Sequence, residues 1–582
     1  MKSRRSIFNG PSSRFDIRHS TFDIRWTFDF RPSTFELFIP LALVGFSFLM
    51  ALRSSGFFEL DELAHYMKAR ECWTDWRELL DIWGRPMCTG LFALAAPWGL
   101  KAARLLAMVV MSIVALGTVQ LSTGFVKMLP SPVRHHRVLL WILLFAQPLF
   151  LLHSFAVMSE MLLACLWVWA AVALLRDRLL LAGLLVGLGG LARPEGWIAI
   201  ACWPVVLGLV GRRQKAEGSR QKAVGGKQKA ESESQKADSH LLLSFHPLLV
   251  FRHPVLSAFR LLLSAFRVPP SVPSLCSVVA AVTPTLAWWL AGWRVFGGAL
   301  WFVQRWPWAA RSPYGITAGR FLIAVALVTM LWMLPFAFEG IRFLWLHHAG
   351  SFEYERAFWI IAAPLLGFLM LHGVLGLFGL FGSLSLPRYF VAVSPFLALA
   401  SWIGVHVWKQ QVPHTRFKHW FWVVIVALTL TPALTLLFAG QLPIPRNAQF
   451  RRLDEAIAWL QQHQRMAGLM LDPDPEHVIA AHPYVYYRLG VPLNCYGHRL
   501  LFAAGSLRAA PPGSLAIVEN VIWQFDGFAK SEELTAWGYR KIWTSDNPKA
   551  TGRSAWVNLL PGGHLLSLVG DAAEVQIWVK QW

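Results

Sequence analysis

Repeated apolar segments, each about 20 residues long, constrain this chain more than any other feature of its sequence. A segment of that length crosses the hydrocarbon core of a bilayer as a helix, because a helix satisfies its own backbone hydrogen bonds. The 582-residue chain is 55% hydrophobic and only 15% charged, whereas a soluble domain carries about 25% charged residues. The sequence therefore predicts a polytopic α-helical membrane protein.

The apolar pattern predicts about eleven transmembrane helices. They cover residues 37–53, 102–126, 138–153, 160–175, 179–193, 196–211, 273–292, 320–338, 357–380, 389–408 and 420–440. Many of the 30 Trp and 40 Phe residues lie near the ends of these segments, as is typical of side chains at the boundary between lipid and water.

The distribution of lysine and arginine predicts the orientation, because cytoplasmic loops carry an excess of these residues. The N-terminal tail is basic, and so are four alternate loops, at 127–137, 176–178, 212–267 and 409–418. We therefore expect the N-terminus in the cytoplasm of a cell whose inner membrane holds the protein. The net charge of +21 follows from this pattern and does not indicate nucleic acid as a partner.

The transmembrane domain is expected over residues 36–440, after a low-complexity cytoplasmic tail at 1–35. Within it, residues 54–101 form a long external loop, in which we expect the catalytic residues. Residues 212–270 carry four QKA repeats without the apolar positions of a coiled coil, so they predict a flexible cytoplasmic basic linker.

The C-terminal region, 441–582, mixes charges with short apolar stretches. LDEAIAWLQQHQ (453–464) has the pattern of an amphipathic helix, and AEVQIWVKQW (573–582) that of a strand. DPDPE (472–476) predicts a turn, because its prolines and aspartates favour one. We expect a small soluble α/β domain outside the membrane.

The external loop begins with an acidic pair, Asp61 and Glu62, in GFFELDELAHYMKARECW (56–73). Acids beside a bilayer are costly unless they have a role. The loop alternates aromatic and polar residues up to WGRP (83–86), which predicts helices lying along the membrane surface.

Three further segments are expected on the same face: the Ser-Glu pair at 159–160, ARPEG (192–196) and LPRYF (386–390). Together with the first loop they bring carboxylates and arginines to one side of the membrane. A carboxylate can accept a proton from a hydroxyl group, and arginine fits phosphate with two parallel hydrogen bonds. This combination suits transfer of a group from a lipid phosphate.

The ordered set of these motifs resembles the GT-C glycosyltransferases, multi-span enzymes that take sugars from polyprenyl-phosphate carriers. The likeness covers residues 36–440 and is greatest to bacterial members related to protein O-mannosyltransferases and lipid A aminoarabinose transferases. It implies a GT-C fold, a polyprenyl-phosphate sugar donor and inverting transfer of mannose or another sugar. The acceptor would be a hydroxyl group of a lipid, glycan or protein at the outer membrane face.

The resemblance also assigns roles to residues. Asp61 is the expected general base, and Glu62 and Glu160 are further catalytic candidates. The expected substrate-binding residues are Arg388 as the clamp on the carrier phosphate, its neighbour Tyr389, and Arg85, Arg193 and Glu195.

Each of these residues also has a simpler interpretation. An acid in a first turn can cap a helix or satisfy its dipole, which applies to Asp61, Glu62 and Glu160. A boundary arginine such as Arg388 can extend toward the interface, and Arg193 can simply pair with Glu195.

Three alternatives stay open from the sequence. His65 and Glu62 are candidate ligands of a divalent metal ion, although a surface polar histidine is the commoner interpretation of His65. Cys72 and Cys88 share the external loop and either pair in an oxidising compartment or stay separate. The competing function is a transporter or flippase of lipid-linked sugars, in which charges usually lie near the middle of the membrane.

Overall fold

The computed structural model describes residues 34–126, 129, 136–208, 272–305, 332–347, 352–379, 387–411, scattered positions within 423–437, 442–446, 448–463, 478–480, 482–493, 504–519, 531–545 and 574–581. The predicted linker at 212–270, the DPDPE turn and most of the tail at 1–35 and of the span at 420–440 lie outside these residues.

Helices make up most of the described chain up to residue 411. They are α1 (Thr34–Arg53), α2 (Leu60–Glu71), α3 (Pro86–Ala93), α4 (Leu100–Phe125), α5 (His136–Phe145), α6 (Pro148–His153), α7 (Ser159–Leu175), α8 (Leu179–Ala192), α9 (Glu195–Gly208), α10 (Val272–Phe296), α11 (Trp301–Gln304), α12 (Met333–His347), α13 (Phe352–Phe378) and α14 (Ser394–Gln411). Two 3-10 helices, Trp76–Leu80 and Pro387–Val393, precede α3 and α14.

Four described segments are long and apolar enough to cross a membrane, namely α4, α10, most of α13, and Arg388–Gln410, which includes α14. Much of α1, and α7, α8 and α9, are shorter apolar helices. The chain is a multi-pass membrane protein, and eight of the predicted segments coincide with these helices. The total of about eleven stays a prediction, because the described residues do not cover every predicted span.

One predicted span is divided in the structure, and another is described only in part. The segment 138–153 is divided into α5 and α6, because Pro148 cannot donate a helical hydrogen bond and Gln147 before it has an extended backbone (ψ 112°). The side chain of Gln147 instead donates to the backbone oxygen of Ser394 at 3.1 Å. Of the segment predicted at 320–338, residues 320–331 lie outside the described residues, and residues 333–338 belong to α12, which runs to His347.

Helix α2 is packed on several sides, whereas the sequence predicted a helix that lies along the membrane surface. Most of its residues from Glu62 to Glu71 are buried, because it packs against α3, the Trp76–Leu80 helix and a helix of the C-terminal region. The aromatic and polar alternation of this loop therefore reflects contacts on several sides rather than one face toward lipid.

The described C-terminal region contains helices and a mixed sheet. Its helices are α15 (Ala448–His463), α16 (Pro483–Leu489), α17 (Ala504–Ala509) and α18 (Ser531–Ala536), and its strands are β1 (Val478–Ala480), β2 (Leu515–Glu519), β3 (Tyr539–Thr544) and β4 (Val575–Lys580). The strand order is β1-β2-β4-β3, with β1 parallel to β2 and the other pairs antiparallel. The helix predicted at 453–464 and the strand predicted at 573–582 are both present as α15 and β4.

The C-terminal region packs directly on the segment that leads from α1 to α2. The backbone amides of Ser55 and Gly56 both donate to the oxygen of Ile444 at 3.0 Å. A Cβ atom on Gly56 would lie 2.0 Å from the oxygen of Pro445. The two backbone segments can therefore approach this closely only because residue 56 is glycine. The two regions therefore position α2 together.

An aromatic cluster and one buried acid extend this contact. The ring of Phe57 lies 5.6 Å from that of Phe450 and 5.6 Å from that of Tyr487. At the other end of α2, the backbone amide of Leu493 donates to Glu71 Oε1 at 2.6 Å. Burial raises the pKa of Glu71 to about 7, since desolvation disfavours the carboxylate.

Candidate active site

The candidate residues come from four distant segments and meet at one end of the helix bundle. Asp61 lies in the first turn of α2, and Glu160 in the first turn of α7. Arg193 is the C-cap residue of α8, and Glu195, two residues later, is the first residue of α9. Arg388 belongs to the 3-10 helix that leads into α14. The convergence predicted from the sequence is therefore present in the fold.

Arg388 forms the centre of this cluster. Its guanidinium group contacts the carboxylates of Glu59 and Asp61, and its Nε lies 3.7 Å from Glu160 Oε1. Arg388 is buried, and the side chain of Asp61 is 21% exposed. Two carboxylates therefore contact the Arg388 guanidinium directly, and a third, which pairs with Arg193, lies beside it.

Glu59 was not among the predicted site residues. It occupies the N-cap position of α2 without a capping hydrogen bond from its side chain, because that side chain reaches Arg388 instead. The sequence does contain a signal for it, because ELDE (59–62) holds a further acid, Glu59, two residues before Asp61.

Arg193 links the central cluster to α9. Its guanidinium contacts Glu160 and forms two hydrogen bonds to Glu195, at 3.1 Å from Nε and 2.8 Å from Nη2. The same group lies over the ring of Tyr389, 4.9 Å from the ring centre. Arg193 therefore pairs with Glu195 and is also part of the candidate site.

Arg85 approaches the cluster from the other side and has a strained backbone. It donates to the hydroxyl group of Ser159, which also accepts from Arg193 at 3.2 Å. Its φ of 60° lies in the left-handed region, where a side chain costs about 1–3 kcal/mol. Among the described residues, Arg85 has no carboxylate within 4 Å, and its Nε has no hydrogen-bond partner. It is the arginine of this site whose charge stays uncompensated by a direct ion pair.

A second buried ion pair holds the turn before Arg85. Lys68 lies 2.8 Å from Glu78 and 3.3 Å from Asp81. Burial opposes the charge of Lys68, but these two acids outweigh it and raise the pKa of Lys68. Asp81 also accepts from the backbone amide of Gly84 at 2.6 Å, so this network fixes the residue directly before Arg85.

Glu62 points away from the cluster. Arg104 Nε lies 2.8 Å from Glu62 Oε1 and Arg104 Nη2 lies 3.1 Å from Oε2, and both side chains are fully buried. The backbone amide of Phe58 donates to Glu62 at 2.6 Å. The oxygens of Glu62 are thus occupied, which suits a structural role in fixing α2 to α4.

The residues proposed for a metal ion do not fit one. Glu62 is committed to Arg104, and no group of three His, Cys, Asp or Glu side chains suited to a metal occurs in the described part of the chain. Cys72 and Cys88 are both free thiols, so the structure contains no disulfide between them.

His65 is buried instead of lying at the surface. It is 2% exposed, and neither ring nitrogen has a hydrogen-bond partner. Burial lowers the pKa of His65 to about 3, with Arg85 as the next cause, so the ring is neutral at physiological pH. Burial also raises the pKa of Asp61, which makes its carboxylate a stronger proton acceptor than an exposed one.

An apolar groove ends at this cluster. It is a cavity of about 230 Å³ between α7, α9 and α13, lined by side chains such as Trp167, Ile198 and Phe368. Glu195 lies at one end and Arg356 at the other. Because Glu195 also binds Arg193, the apolar cavity and the charged cluster share a residue.

His372 closes the end of the groove next to the cluster. It is buried on α13, with its Nε2 3.5 Å from Glu195 Oε1 and its ring 5.1 Å from that of Tyr389. The sequence analysis did not identify His372, because it lies inside an apolar segment where a lone histidine carries no pattern.

Comparisons with known proteins give weak matches. No protein-family model matches the sequence, and neither does any curated protein. Among solved structures, ArnT from Cupriavidus metallidurans bound to undecaprenyl phosphate matches with a TM-score of 0.47 and 12% identity, over 85% of this chain and 94% of that chain. The oligosaccharyltransferase AglB from Archaeoglobus fulgidus, in complex with an inhibitory peptide and a dolichol-phosphate, matches with a TM-score of 0.40 and 14% identity.

The AglB match covers 78% of this chain and 60% of that chain. These solved proteins are of the kind that the sequence motifs resemble.

Proposed function

We propose that this chain is a membrane glycosyltransferase that moves a sugar from a polyprenyl-phosphate carrier to an acceptor hydroxyl group at the extracytoplasmic face. One observation carries the proposal: an apolar groove inside the helix bundle and a cluster of acids and arginines share Glu195. A lipid-linked sugar phosphate needs an apolar environment for its lipid chain and, directly next to it, cationic side chains for its phosphate.

The donor would place its chain in the groove. Arg356 to Leu371 on α13 covers about 22 Å along the helix axis, and both residues line the cavity. That length is a large part of the roughly 30 Å hydrocarbon core, so a polyprenyl chain entering from the bilayer fits along it. Its phosphate then lies near Arg193 and Arg85.

We assign the first phosphate contact to Arg85. Arg388, the clamp expected from the sequence, is already surrounded by Glu59, Asp61 and Glu160. Arg85 has no such carboxylate among the described residues, and its Nε, like that of Arg388, lacks a hydrogen-bond partner. A phosphate oxygen would satisfy both deficits, since guanidinium binds phosphate with parallel hydrogen bonds.

Asp61 is the proposed general base. As the acceptor oxygen bonds to the anomeric carbon, its proton passes to Asp61 and the bond from that carbon to the phosphate oxygen breaks. The released polyprenyl phosphate takes the electron pair, and Arg85 stabilises its charge. One such displacement inverts the anomeric centre. Glu160 is fully buried against Arg193, so we assign it to positioning the arginines.

The test is transfer by the purified full-length protein. Wild type is incubated with labelled polyprenyl-phosphate sugars and with lipid, glycan or peptide acceptors, next to Asp61→Asn and a control. Asp75→Asn is a matched control, because Asp75 lies in the same loop and caps the Trp76–Leu80 helix, a role that Asn also fills. We expect transfer by wild type and the control only.

Two results would count against the proposal. Unchanged transfer by Asp61→Asn would remove Asp61 as the base. Movement of lipid-linked sugars across proteoliposome membranes without any transfer would instead support the transporter or flippase. The acids and arginines of the candidate site gather at the Glu195 end of the groove rather than midway along it, which is why we place the enzyme first.

A further inference from the structure

A second apolar cleft lies on the opposite side of α7 from the groove. It has a volume of about 370 Å³ and is bounded by α4, α7 and α8. The apolar side chains along it include Ile113, Leu166, Trp169, Val172 and Leu185. The two cavities use different faces of α7, so this cleft is separate from the candidate active site.

The end of the cleft away from that site is positively charged. Arg176 and Arg178 both line it. Asp177, which stands between them in sequence, has a left-handed backbone (φ 56°) and pairs with Arg356 on α13 at 3.0 Å. The turn therefore directs its acid to another helix and leaves two cations at the cleft. Neither arginine has a carboxylate within 4 Å in the portion of the chain that the structure describes.

The walls of this cleft are held by hydrogen bonds of their own. The indole nitrogen of Trp169 donates to the backbone oxygen of Ile113 at 2.9 Å, which ties α7 to α4. Arg176 Nη2 donates to Gln120 Oε1 at 2.9 Å, which places the guanidinium at the mouth of the cleft. The cleft is thus formed without a ligand.

The depth of the cleft matches one leaflet of a bilayer. Its lining on α7 runs from Cys165 to Arg176, which is about 16 Å along the helix. Half of the roughly 30 Å hydrocarbon core is close to this value. An acyl chain that starts at the arginines would reach the middle of the membrane at Cys165.

We propose that this cleft binds an anionic glycerophospholipid from the leaflet on the side away from the candidate active site. One acyl chain fills the apolar part, and the phosphate accepts hydrogen bonds from Arg176 and Arg178. Basic residues between transmembrane helices recognise anionic headgroups in this way. The proposal stands independently of the sugar transfer proposed above.

The experiment measures lipid bound to the intact protein. Full-length wild type and the double variant Arg176→Gln/Arg178→Gln are delipidated, incubated with phosphatidylglycerol or phosphatidylcholine of the same chain length, and weighed by native mass spectrometry. Both arginines are at least partly exposed, so the variant is expected to fold, which its thermal unfolding verifies. Wild type should retain one tightly bound phosphatidylglycerol, and the double variant should bind it about 30-fold more weakly, from about fivefold for each basic residue.

Arg342→Gln is the matched control, because Arg342 is an exposed arginine on α12 outside the cleft. It should bind phosphatidylglycerol as wild type does. Three outcomes would overturn the proposal: equal retention of both lipids by wild type, equal retention of phosphatidylglycerol by the double variant, or loss of the lipid in the Arg342→Gln control. Detection of protein dimers without bound lipid would also overturn the proposal, because a second copy of the chain would then occupy the cleft.

Discussion

Asp61 and Glu62 are neighbours on one helix but belong to two very different ion networks. Glu62 and Arg104 form a pair in which one acid meets one arginine, with the remaining hydrogen bonds supplied by backbone groups. Asp61 shares Arg388 with Glu59 and Glu160, and the same site leaves Arg85 Nε and both nitrogens of His65 without partners.

The difference separates structural from reactive charge. A buried pair that is fully satisfied has little capacity to bind anything else, because every donor and acceptor is already used. Buried polar atoms without partners are uncommon in proteins and call for an explanation, of which a bound substrate is one. The two networks can therefore be distinguished by changing one residue of each.

The largest expected effect is that of Asp61→Asn on transfer. Loss of a general base lowers kcat/KM by roughly 10²- to 10⁴-fold, whereas the thermal unfolding should stay close to that of wild type because Arg388 still has Glu59 and Glu160 beside it. Steady-state kinetics with a labelled donor, together with a melting curve, measure both quantities. A folded variant with normal kcat/KM would place Asp61 in the structural class.

Glu62→Gln should show the reverse behaviour. It leaves Arg104 buried without its anion, which costs about 3–5 kcal/mol of the free energy of unfolding. The measurement is chemical or thermal unfolding in detergent, with Glu455→Gln at an exposed ion pair as the control.

A double variant, Glu62→Leu with Arg104→Met, sharpens this test. Replacement of both members of a buried pair by apolar residues is often neutral, so stability should return toward that of wild type. If stability does not return while transfer is lost in the folded protein, Glu62 acts in the reaction and the comparison fails.

Glu71 provides an intermediate case on the same helix. Its folded-state pKa is about 7, compared with 4.5 in a model compound, so the folded protein binds a proton that the unfolded chain releases between these values. Stability is therefore highest below about pH 5 and falls as the pH rises toward 7, by something on the order of 3 kcal/mol. Glu71→Gln should remove this slope and be more stable than wild type at pH 8. Unfolding at pH 5, 6, 7 and 8 measures it, and parallel slopes for the two proteins would contradict the assignment.

The smallest expected effect is that of Arg85→Lys. The charge is retained but the planar fork is lost, so the KM for the donor should rise about tenfold with a smaller change in kcat. Arg342→Lys serves as the control for a general effect of this substitution. A donor KM that does not change would move the phosphate contact to Arg388 or Arg193.

The sequence predicts which segments meet at the site, but not which of two adjacent acids faces it. Consecutive residues on a helix point about 100° apart, so Asp61 and Glu62 cannot share one environment. The choice depends on Arg104, which lies 42 positions away from Glu62. Nothing local to GFFELDEL identifies that arginine as the partner.

Other parts of the site were beyond sequence analysis for similar reasons. Ser159 accepts from two arginines on different segments, a contact that depends on how three elements pack. The enclosure of α2 depends on the C-terminal region, whose contact at Ile444 lies nearly 400 positions from Ser54. Hydropathy and charge distribution indicate whether a segment faces lipid or water. They do not indicate which other segment it contacts.

The attachment of Ile444 and Leu493 near the two ends of α2 also has a consequence for biosynthesis. A ribosome that has made α1 to α14 has not yet supplied the groups that hold Gly56 and Glu71 in place. The helix that carries Asp61 can therefore reach its final position only after the chain has been translated beyond residue 493. We therefore expect the proposed transfer activity to appear only after the C-terminal region has docked on α2.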